Sequence, residues 1–109
     1  DGVFLGMCGL HHQDWYPDDL ELGWRLARRH WGHGYATEAA TAWLGHAFER
    51  LGRSRVISVT EYENRRSLAV MGRLGMVFDH EAELEEDGAT FQAVVYVISR
   101  ERWRSRANG

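Results

Sequence analysis

The sequence predicts an α+β fold with a mixed sheet, built in the order ββ-α-β-α-ββ. Three observations support this order. Apolar and polar residues alternate in segment 20–26, as they do in a strand with two different faces. Apolar residues at helical spacing follow in 36–51, and a β-branched run occupies 53–60. A strand, a helix and a strand in succession indicate a crossover unit with two parallel strands.

Turn and cap residues place the neighbouring elements. The apolar run 3–10 indicates a first strand, and 11–19 has the composition of a loop. Asn64 is a suitable N-cap for a second helix, which Gly75 is expected to end. The predicted inward face of the first helix contains Ala36, Ala40, Leu44, Ala47, Phe48 and Leu51.

The last part of the chain is expected to form an antiparallel hairpin. Asp87-Gly88, a dipeptide typical of two-residue hairpin turns, separates two runs of strand character, 76–85 and 89–99. The arginine-rich segment 100–106 is expected to be a solvated tail. Since no repeat or linker interrupts the sequence, we expect residues 1–109 to form a single domain.

Composition favours an ordinary soluble protein. Of the 109 residues 44% are hydrophobic and 27% charged, and the net charge of −3 does not attract nucleic acid. No apolar run approaches the roughly 18 residues of a membrane span. The single cysteine, Cys8, fits a reducing compartment, and residues 1–4 lack the features of an export signal. We therefore expect a cytoplasmic protein with no nucleic-acid or membrane partner.

Two glycines separate the predicted strand from the predicted helix. Gly32 and Gly34 allow close approach of the backbone to a ligand, and the first N–H groups of the helix that follows are unpaired donors at the positive end of its dipole. This combination favours phosphate binding. The segment lacks the Gly-Lys-Ser/Thr ending of a P-loop and the third glycine of a dinucleotide-binding turn.

The motif around these glycines resembles a known one. Arg29-x-x-Gly32-x-Gly34, continued by Tyr35-Ala36-Thr37-Glu38-Ala39, resembles the acetyl-CoA pyrophosphate motif of the GNAT superfamily of N-acetyltransferases. Other segments resemble its ribosomal-protein alanine acetyltransferase branch: Glu21-Leu22-Gly23-Trp24-Arg25-Leu26, Asn64-x-x-Ser67, Leu74-Gly75-Met76, and Tyr96 with Glu101-x-Trp103. The resemblance covers nearly the whole chain and implies a GNAT-type acyl-CoA N-acyltransferase fold.

The resemblance also implies that the domain is partial. Relatives begin with a strand, two helices and another strand before the point where this sequence starts, and those helices form one wall of the acceptor cleft. Three explanations are then open. The sequence is a fragment, or its gene model starts late, or it is a shortened protein that completes its sheet with a second copy. In the last case the apolar edge strand at 3–10 would pair between copies, so we expect a homodimer.

Family resemblance implies which residues bind acetyl-CoA. The backbone of Trp24 and Leu26 would pair with the pantetheine arm as an added strand, where two parallel strands of the family's sheet separate. Amides from Gly32 to Thr37 would bind the pyrophosphate. The full predicted set is Trp24, Leu26, Arg29, Gly32, His33, Gly34, Tyr35, Ala36, Thr37, Asn64 and Arg73.

Glu21 is the first candidate for the base that takes a proton from the acceptor ammonium. Its position on the strand resembles that of the catalytic glutamate in histone-acetylating relatives. The alternative interpretation of Glu21 is a solvent-facing strand carboxylate. Three other glutamates remain open as the base: Glu61, Glu83 and Glu85.

The remaining catalytic groups also follow from the resemblance. Many relatives carry a tyrosine acid in the helix after the asparagine, but the corresponding position here is Met71. Ser67, or a water molecule, is then the expected proton donor to the leaving thiolate. The backbone N–H of Leu26 would stabilise the developing oxyanion.

Two histidine pairs, His11-His12 and His30-x-x-His33, do not predict a metal site. Neither has carboxylate or cysteine companions at zinc spacing, so we expect no metal. His33 is instead expected near the cofactor phosphates.

Two functions remain open from the sequence. The first is an enzyme, an acetyl-CoA-dependent N-acetyltransferase in which a primary amine attacks the thioester directly. Its acceptor would be a protein N-terminus or a small-molecule amine. The alternative is a non-catalytic CoA-binding module or truncated homologue that acts in assembly or regulation.

Overall fold

The computed structural model describes residues 6–12, 15–26 and 35–108 of the chain. The elements are, in chain order, β1 (Gly6–His11), β2 (Glu21–Leu26), α1 (Tyr35–Gly45), a π-helical turn (His46–Arg50), β3 (Arg55–Thr60), α2 (Arg65–Leu74), β4 (Val77–Glu86), β5 (Ala89–Ser99) and α3 (Arg100–Asn108). The predicted order ββ-α-β-α-ββ is confirmed, and a helix is added after it.

The five strands form one mixed sheet in the order β1-β2-β3-β5-β4. Antiparallel pairing joins β1 to β2 and β3 to β5, with six register pairs in each case. The two strands linked through α1, β2 and β3, are parallel, as the predicted crossover requires. The long β4–β5 hairpin completes the sheet.

Helices α1 and α2 bury their apolar residues against one face of this sheet. The core cluster consists of Leu20, Leu22, Ala40, Leu44, Ala47, Phe48, Val56, Val70, Met71, Leu74, Met76 and Ile98. Alternation along a strand places Glu21 on the opposite face from its neighbours Leu20 and Leu22. The sheet therefore separates the helices from the face that carries Glu21.

The first helix ends differently from its prediction. The N–H of Leu51 donates to the carbonyl of His46, five residues earlier, at 3.1 Å. A π-type turn contains more residues than an α-type turn, so it rotates later side chains away from the face that strict helical spacing predicts. Phe48 is fully buried, whereas Leu51, predicted on the inward face, is 49% exposed. The prediction of Leu51 as a core residue is therefore wrong.

Both predicted caps of α2 are confirmed. The Asn64 side chain accepts a hydrogen bond from the N–H of Ser67 at 3.1 Å, which satisfies one of the unpaired donors of the first turn. At the other end Gly75 adopts φ 88°, a left-handed conformation that glycine tolerates best.

The C-terminal segment is a helix rather than the predicted tail, although most of its side chains are exposed, as expected for a solvated segment. The ring of Trp103 packs against Phe48, with centroids 5.4 Å apart. Arg102 Nε donates to the carbonyl of Gly75, and an Arg106 terminal nitrogen donates to the carbonyl of Arg73 at 3.0 Å. Helix α3 therefore satisfies carbonyls at the end of α2, so Arg102 and Arg106 serve the fold.

The hairpin turn is the one that its dipeptide predicts. Asp87 has φ 52° and Gly88 has φ 82°, and two positive values in succession are the signature of a type I′ turn. The β4–β5 register shifts by one residue between Phe78 and His80, which leaves Asp79 as a bulge.

The segment 15–19, called the strap below, ties the start of β2 to the other strands. Trp15 Nε1 donates to the carbonyl of Glu85 at 2.8 Å, and its ring meets Phe91 edge-on at 5.8 Å. Two hydrogen bonds of 2.8 Å join Arg55 to the carboxylate of Asp19. They raise the pKa of the Arg55 guanidinium, which is therefore fully charged. The strap thus holds both the hairpin and β3 beside β2.

A chain of three polar groups anchors the middle of the strap. The Tyr16 hydroxyl lies 2.7 Å from His80 Nε2, and His80 Nδ1 lies 2.6 Å from Oδ2 of Asp79. With a proton on Nδ1, the imidazole donates to Asp79 and accepts from Tyr16. The bulge at Asp79 places this carboxylate and His80 side by side, so the bulge positions the anchor.

The Tyr16 anchor predicts a pH dependence of stability. Burial raises the pKa of Tyr16, and the carboxylates of Asp79 and Asp19 raise it further. The folded protein therefore holds the phenolic proton more tightly than the unfolded chain, in which tyrosine titrates near pH ~10. The associated stability is complete below that pH and is lost as the pH rises through the folded pKa.

We expect the thermal midpoint of the wild type to fall more steeply above roughly pH 10 than that of Tyr16→Phe, which keeps the ring and lacks the titrating group. Differential scanning calorimetry from about pH 9 to about pH 11 measures both slopes. Parallel slopes would show that Tyr16 titrates alike in the folded and unfolded states.

A matched pair of glycines tests the cap of α2. Gly75→Ala should lower the free energy of unfolding by about 1–2 kcal/mol, since it forces a left-handed alanine, and its Cβ would also meet the Arg106 side chain. Gly72→Ala, within α2 and facing open space, should raise it by about 0.5–1 kcal/mol. Urea denaturation measures both changes, and effects of equal sign would contradict the assignment of the cap.

Candidate active site

The candidate site begins where the parallel strands β2 and β3 separate. Glu21 and Ile57 form the one register pair between these strands in the described part of the chain, although each strand contains six residues. The N–H of Ile57 donates to the carbonyl of Leu20 at 3.0 Å. Beyond this point β2 continues in register with β1 on its other side. A cleft therefore opens between β2 and β3.

Backbone groups of Trp24 and Leu26 face this cleft. The carbonyls of Leu20 and Leu22 both accept hydrogen bonds from β3 residues, so they point to the β3 side. In a strand, alternate residues direct their backbone groups to the same edge. Trp24 and Leu26 follow at that spacing, and their N–H and C=O groups therefore point to the β3 side. The structure thus provides the strand edge that the prediction for these two residues requires.

Ser58 closes the narrow end of the cleft. Its hydroxyl donates to the carbonyl of Leu22 at 2.7 Å, and the residue is 1% exposed. This serine was not among the residues predicted from the sequence. The sequence did carry a signal, because a serine two residues after the apolar Val56 of the same strand lies on the core-facing side.

The N-terminus of α1 contains an unsatisfied hydroxyl. Helix α1 begins at Tyr35, so the N–H groups of its first turn have no partner within the helix. The Thr37 Oγ1 atom is buried and has no hydrogen-bond partner among the residues that the structure describes. A buried polar atom without a partner is unfavourable, and a phosphate oxygen at the helix N-terminus would satisfy it. The residues present at this end of α1 therefore fit an anionic ligand.

Glu21 lies beside the point where β2 and β3 separate. It is 6% exposed, and it is flanked by His11 of β1 and Ile57 of β3 in the sheet. The alternative interpretation of Glu21 as a solvent-facing carboxylate is therefore wrong. Pairing on both sides fixes its backbone and therefore the face of the sheet from which its side chain projects.

The first turn of α2 follows β3 at the same end of the sheet. Asn64 is exposed and Ser67 is half-buried there, and Asn64 uses its side-chain oxygen to cap the helix. Met71, at the position where relatives carry a tyrosine, is fully buried in the core. A methionine has no proton to donate, so the half-buried Ser67 is the candidate proton donor in this helix.

Other predicted residues are placed apart from this group or outside the described residues. Arg73 is exposed in the last turn of α2, and about 14 Å of helix separates it from Asn64. Its contact with phosphate stays a prediction. Four predicted residues lie outside the described residues: Arg29, Gly32, His33 and Gly34.

The three rival glutamates are exposed. Glu61 directly follows β3, while Glu83 and Glu85 lie on β4. Near them, a hydrogen bond to Glu81 raises the pKa of the Tyr62 hydroxyl. Of these carboxylates, Glu21 is the one that a register pair places where β2 and β3 separate, so it is the better placed candidate.

The described residues contain no group of three or more His, Cys, Asp or Glu side chains that could hold a metal ion. Among the same residues, no helix combines the length and the apolar character that crossing a membrane requires.

Comparison with known proteins places this arrangement in a family. Residues 1–77 match the acetyltransferase (GNAT) domain. FsC-acetyl coenzyme A-N(2)-transacetylase of Aspergillus fumigatus is 37% identical over 114 residues, which cover 94% of this chain and 48% of that protein. A Bacillus subtilis protein provisionally named as the ribosomal N-acetyltransferase YdaF is 30% identical over 105 residues, with 94% and 57% covered.

A solved structure agrees with these relatives. The acetyltransferase of Agrobacterium tumefaciens superposes with a TM-score of 0.72 at 36% identity, over 86% of this chain and 52% of that one. The chain spans about half the length of the curated relatives it matches. From the family match and the shared fold together, the chain belongs to the GNAT acetyltransferase domain family.

Proposed function

We propose that the protein is an acetyl-CoA-dependent N-acetyltransferase that acetylates a primary amine. The observation that carries the proposal is the cleft between β2 and β3, which presents the backbone edge of Trp24 and Leu26. An unpaired strand edge binds an extended chain carrying amide groups by β-augmentation, and the pantetheine arm of acetyl-CoA is such a chain. The N-terminus of α1, with Thr37, follows β2 and would bind the pyrophosphate.

Glu21 is proposed as the base. An acceptor amine is protonated near neutral pH and must lose a proton before its lone pair can attack the acetyl carbon. The new N–C bond forms as the C–S bond breaks, and the amine proton passes to the Glu21 carboxylate. A residue at the narrow end of the cleft is close to where the thioester would lie, because the pyrophosphate occupies the open end.

Two further groups complete the proposed mechanism. The N–H of Leu26 would donate to the carbonyl oxygen as negative charge develops there. The thiolate that leaves needs a proton, and Ser67 or a water molecule near the first turn of α2 would supply it. Asn64 then contributes by fixing that turn, because its side chain holds the Ser67 backbone.

The acceptor is proposed as a protein N-terminus or a small-molecule amine. One relative is provisionally named for ribosomal N-acetylation, which supports the first class, and another is named an FsC-acetyl coenzyme A-N(2)-transacetylase. Residues 1–109 are proposed as a partial domain whose second copy pairs at the exposed edge strand β1. The alternative is a non-catalytic CoA-binding module.

The proposal is tested by titrating the 109-residue chain with acetyl-CoA and with CoA. The release of thiol is then measured in the presence of amines. The acceptors are an alanine-starting peptide and a polyamine. Binding together with thiol release supports the enzyme, and binding without release supports the module. Failure of the folded chain to bind either ligand would contradict both.

Thr37→Val provides a sharper test of the pyrophosphate site. Valine keeps the shape and removes the unpaired hydroxyl, so the stability of the ligand-free protein should stay within about 0.5 kcal/mol or rise. The dissociation constant for acetyl-CoA should increase about tenfold, since a hydrogen bond to a charged group is lost. Calorimetric titration measures the affinity.

Thr41→Val is the matched control for this variant. Thr41 is exposed one turn later in α1, and its hydroxyl donates to the carbonyl of Thr37 at 2.7 Å. It should leave acetyl-CoA binding unchanged. If the two variants weaken binding equally, Thr37 does not contact the ligand.

Glu21→Gln tests the proposed base. The amide keeps the size of the side chain but cannot take the proton, so kcat should fall by about 100-fold or more. Affinity for acetyl-CoA should change by less than about threefold, because the backbone edge is intact. Glu83→Gln, an exposed rival on β4, is the control and should retain full activity. Loss of activity in the control instead would transfer the role to Glu83.

A further inference from the structure

We propose that Ser58 is a positioning residue that ends the β2–β3 ladder and thereby keeps the cleft open for acetyl-CoA. This inference rests on the proposed function. Ser58 neither touches the reacting atoms nor belongs to the motif around Gly32 and Gly34.

The hydrogen bonds of the two strands identify the position at which the ladder stops. In a parallel pair, carbonyls of alternate residues on one strand accept N–H groups of alternate residues on the other. Here the carbonyl of Leu20 accepts from Ile57, so the next rung would join the carbonyl of Leu22 to the N–H of Val59. That carbonyl accepts the hydroxyl of Ser58 at 2.7 Å, and the register between the strands does not extend past Ile57.

Burial makes this hydrogen bond significant. Ser58 is 1% exposed, and it is one of two buried polar residues among those described. A buried hydroxyl is unfavourable unless it is paired, and a buried carbonyl is equally unfavourable without a donor. The contact therefore satisfies two groups at once, and the carbonyl of Leu22 does not need the N–H of Val59.

The consequence for the site follows from the position of Leu22. Leu22 is the last β2 residue before Trp24 and Leu26 whose backbone groups face β3. The partner of its carbonyl therefore decides whether β3 stays paired along the edge that Trp24 and Leu26 form. Without the hydroxyl, the nearest ladder donor is the N–H of Val59. A hydrogen bond from the N–H of Val59 to the carbonyl of Leu22 would draw β3 against β2. Strand β3 would then occupy the edge that the pantetheine arm would otherwise bind.

Ser58→Thr and Ser58→Val form the matched pair that tests this role. Both new side chains are β-branched and nearly equal in shape, but threonine keeps the hydroxyl. The threonine variant should bind acetyl-CoA within about threefold of the wild type, and the valine variant should bind about tenfold more weakly or worse. Calorimetric titration, corrected for the folded fraction from urea denaturation, gives these values.

Val56→Ala separates positioning from general packing. Val56 is fully buried on the same strand, two residues earlier, so its truncation should lower stability while the folded fraction retains its affinity. The valine variant at position 58 should show the reverse, unchanged or higher stability with weaker binding. Equal affinities of the threonine and valine variants would overturn the proposal while leaving the proposed function intact.

Amide hydrogen exchange gives a readout that needs no ligand. In the wild type the Val59 amide should exchange faster than the Ile57 amide, and in Ser58→Val its protection should rise toward that of Ile57. A wild-type Val59 amide already as protected as Ile57 would overturn the proposal, because the ladder would then continue past Ser58. If exchange follows the expectation but the wild type does not bind acetyl-CoA, the proposed function fails and the role of Ser58 in ending the ladder stands.

Discussion

The site depends on one constraint, that two parallel strands must pair at one end and separate at the other. Pairing at Glu21 and Ile57 lets α1 connect β2 to β3 and pack on the sheet. Separation after Leu22 leaves a strand edge whose hydrogen-bonding groups have no strand beside them within the described residues. Backbone groups of this kind need partners, so a ligand with amide groups fits there for the same reason that a strand would.

Besides the Ser58 hydroxyl at its narrow end, the cleft has both of its walls paired with outer strands. Strand β2 pairs with β1 along its whole length, and β3 pairs likewise with β5. The strap adds a second restraint, since Asp19 holds Arg55 at the start of β3 and Trp15 holds the hairpin. The geometry is therefore organised before any ligand binds, which lowers the entropic cost of binding.

Local signals were sufficient to predict much of the fold. Asn64, Gly75 and Asp87-Gly88 act on their own neighbours, and the structure places a cap, a stop and a turn at these positions. The π-helical turn and α3 depend instead on contacts between distant segments, such as Trp103 against Phe48. Residue spacing does not encode such contacts, so the pattern predicted a regular helix end and a solvated tail.

The residues of the candidate site divide in the same way, into those found from the sequence and those found from the structure. This division indicates which kind of residue a further search of the sequence should look for. Glu21 and Trp24 were found by resemblance to a family, whereas Ser58 and the hydroxyl of Thr37 emerged from burial and hydrogen bonding. In both residues the fold buries the hydroxyl oxygen, and a buried hydroxyl is unfavourable unless it has a hydrogen-bond partner. Ser58 has such a partner in the protein, and Thr37 has none among the described residues. The first hydroxyl is therefore explained by the protein itself, and the second agrees with the anionic ligand that we propose for the N-terminus of α1.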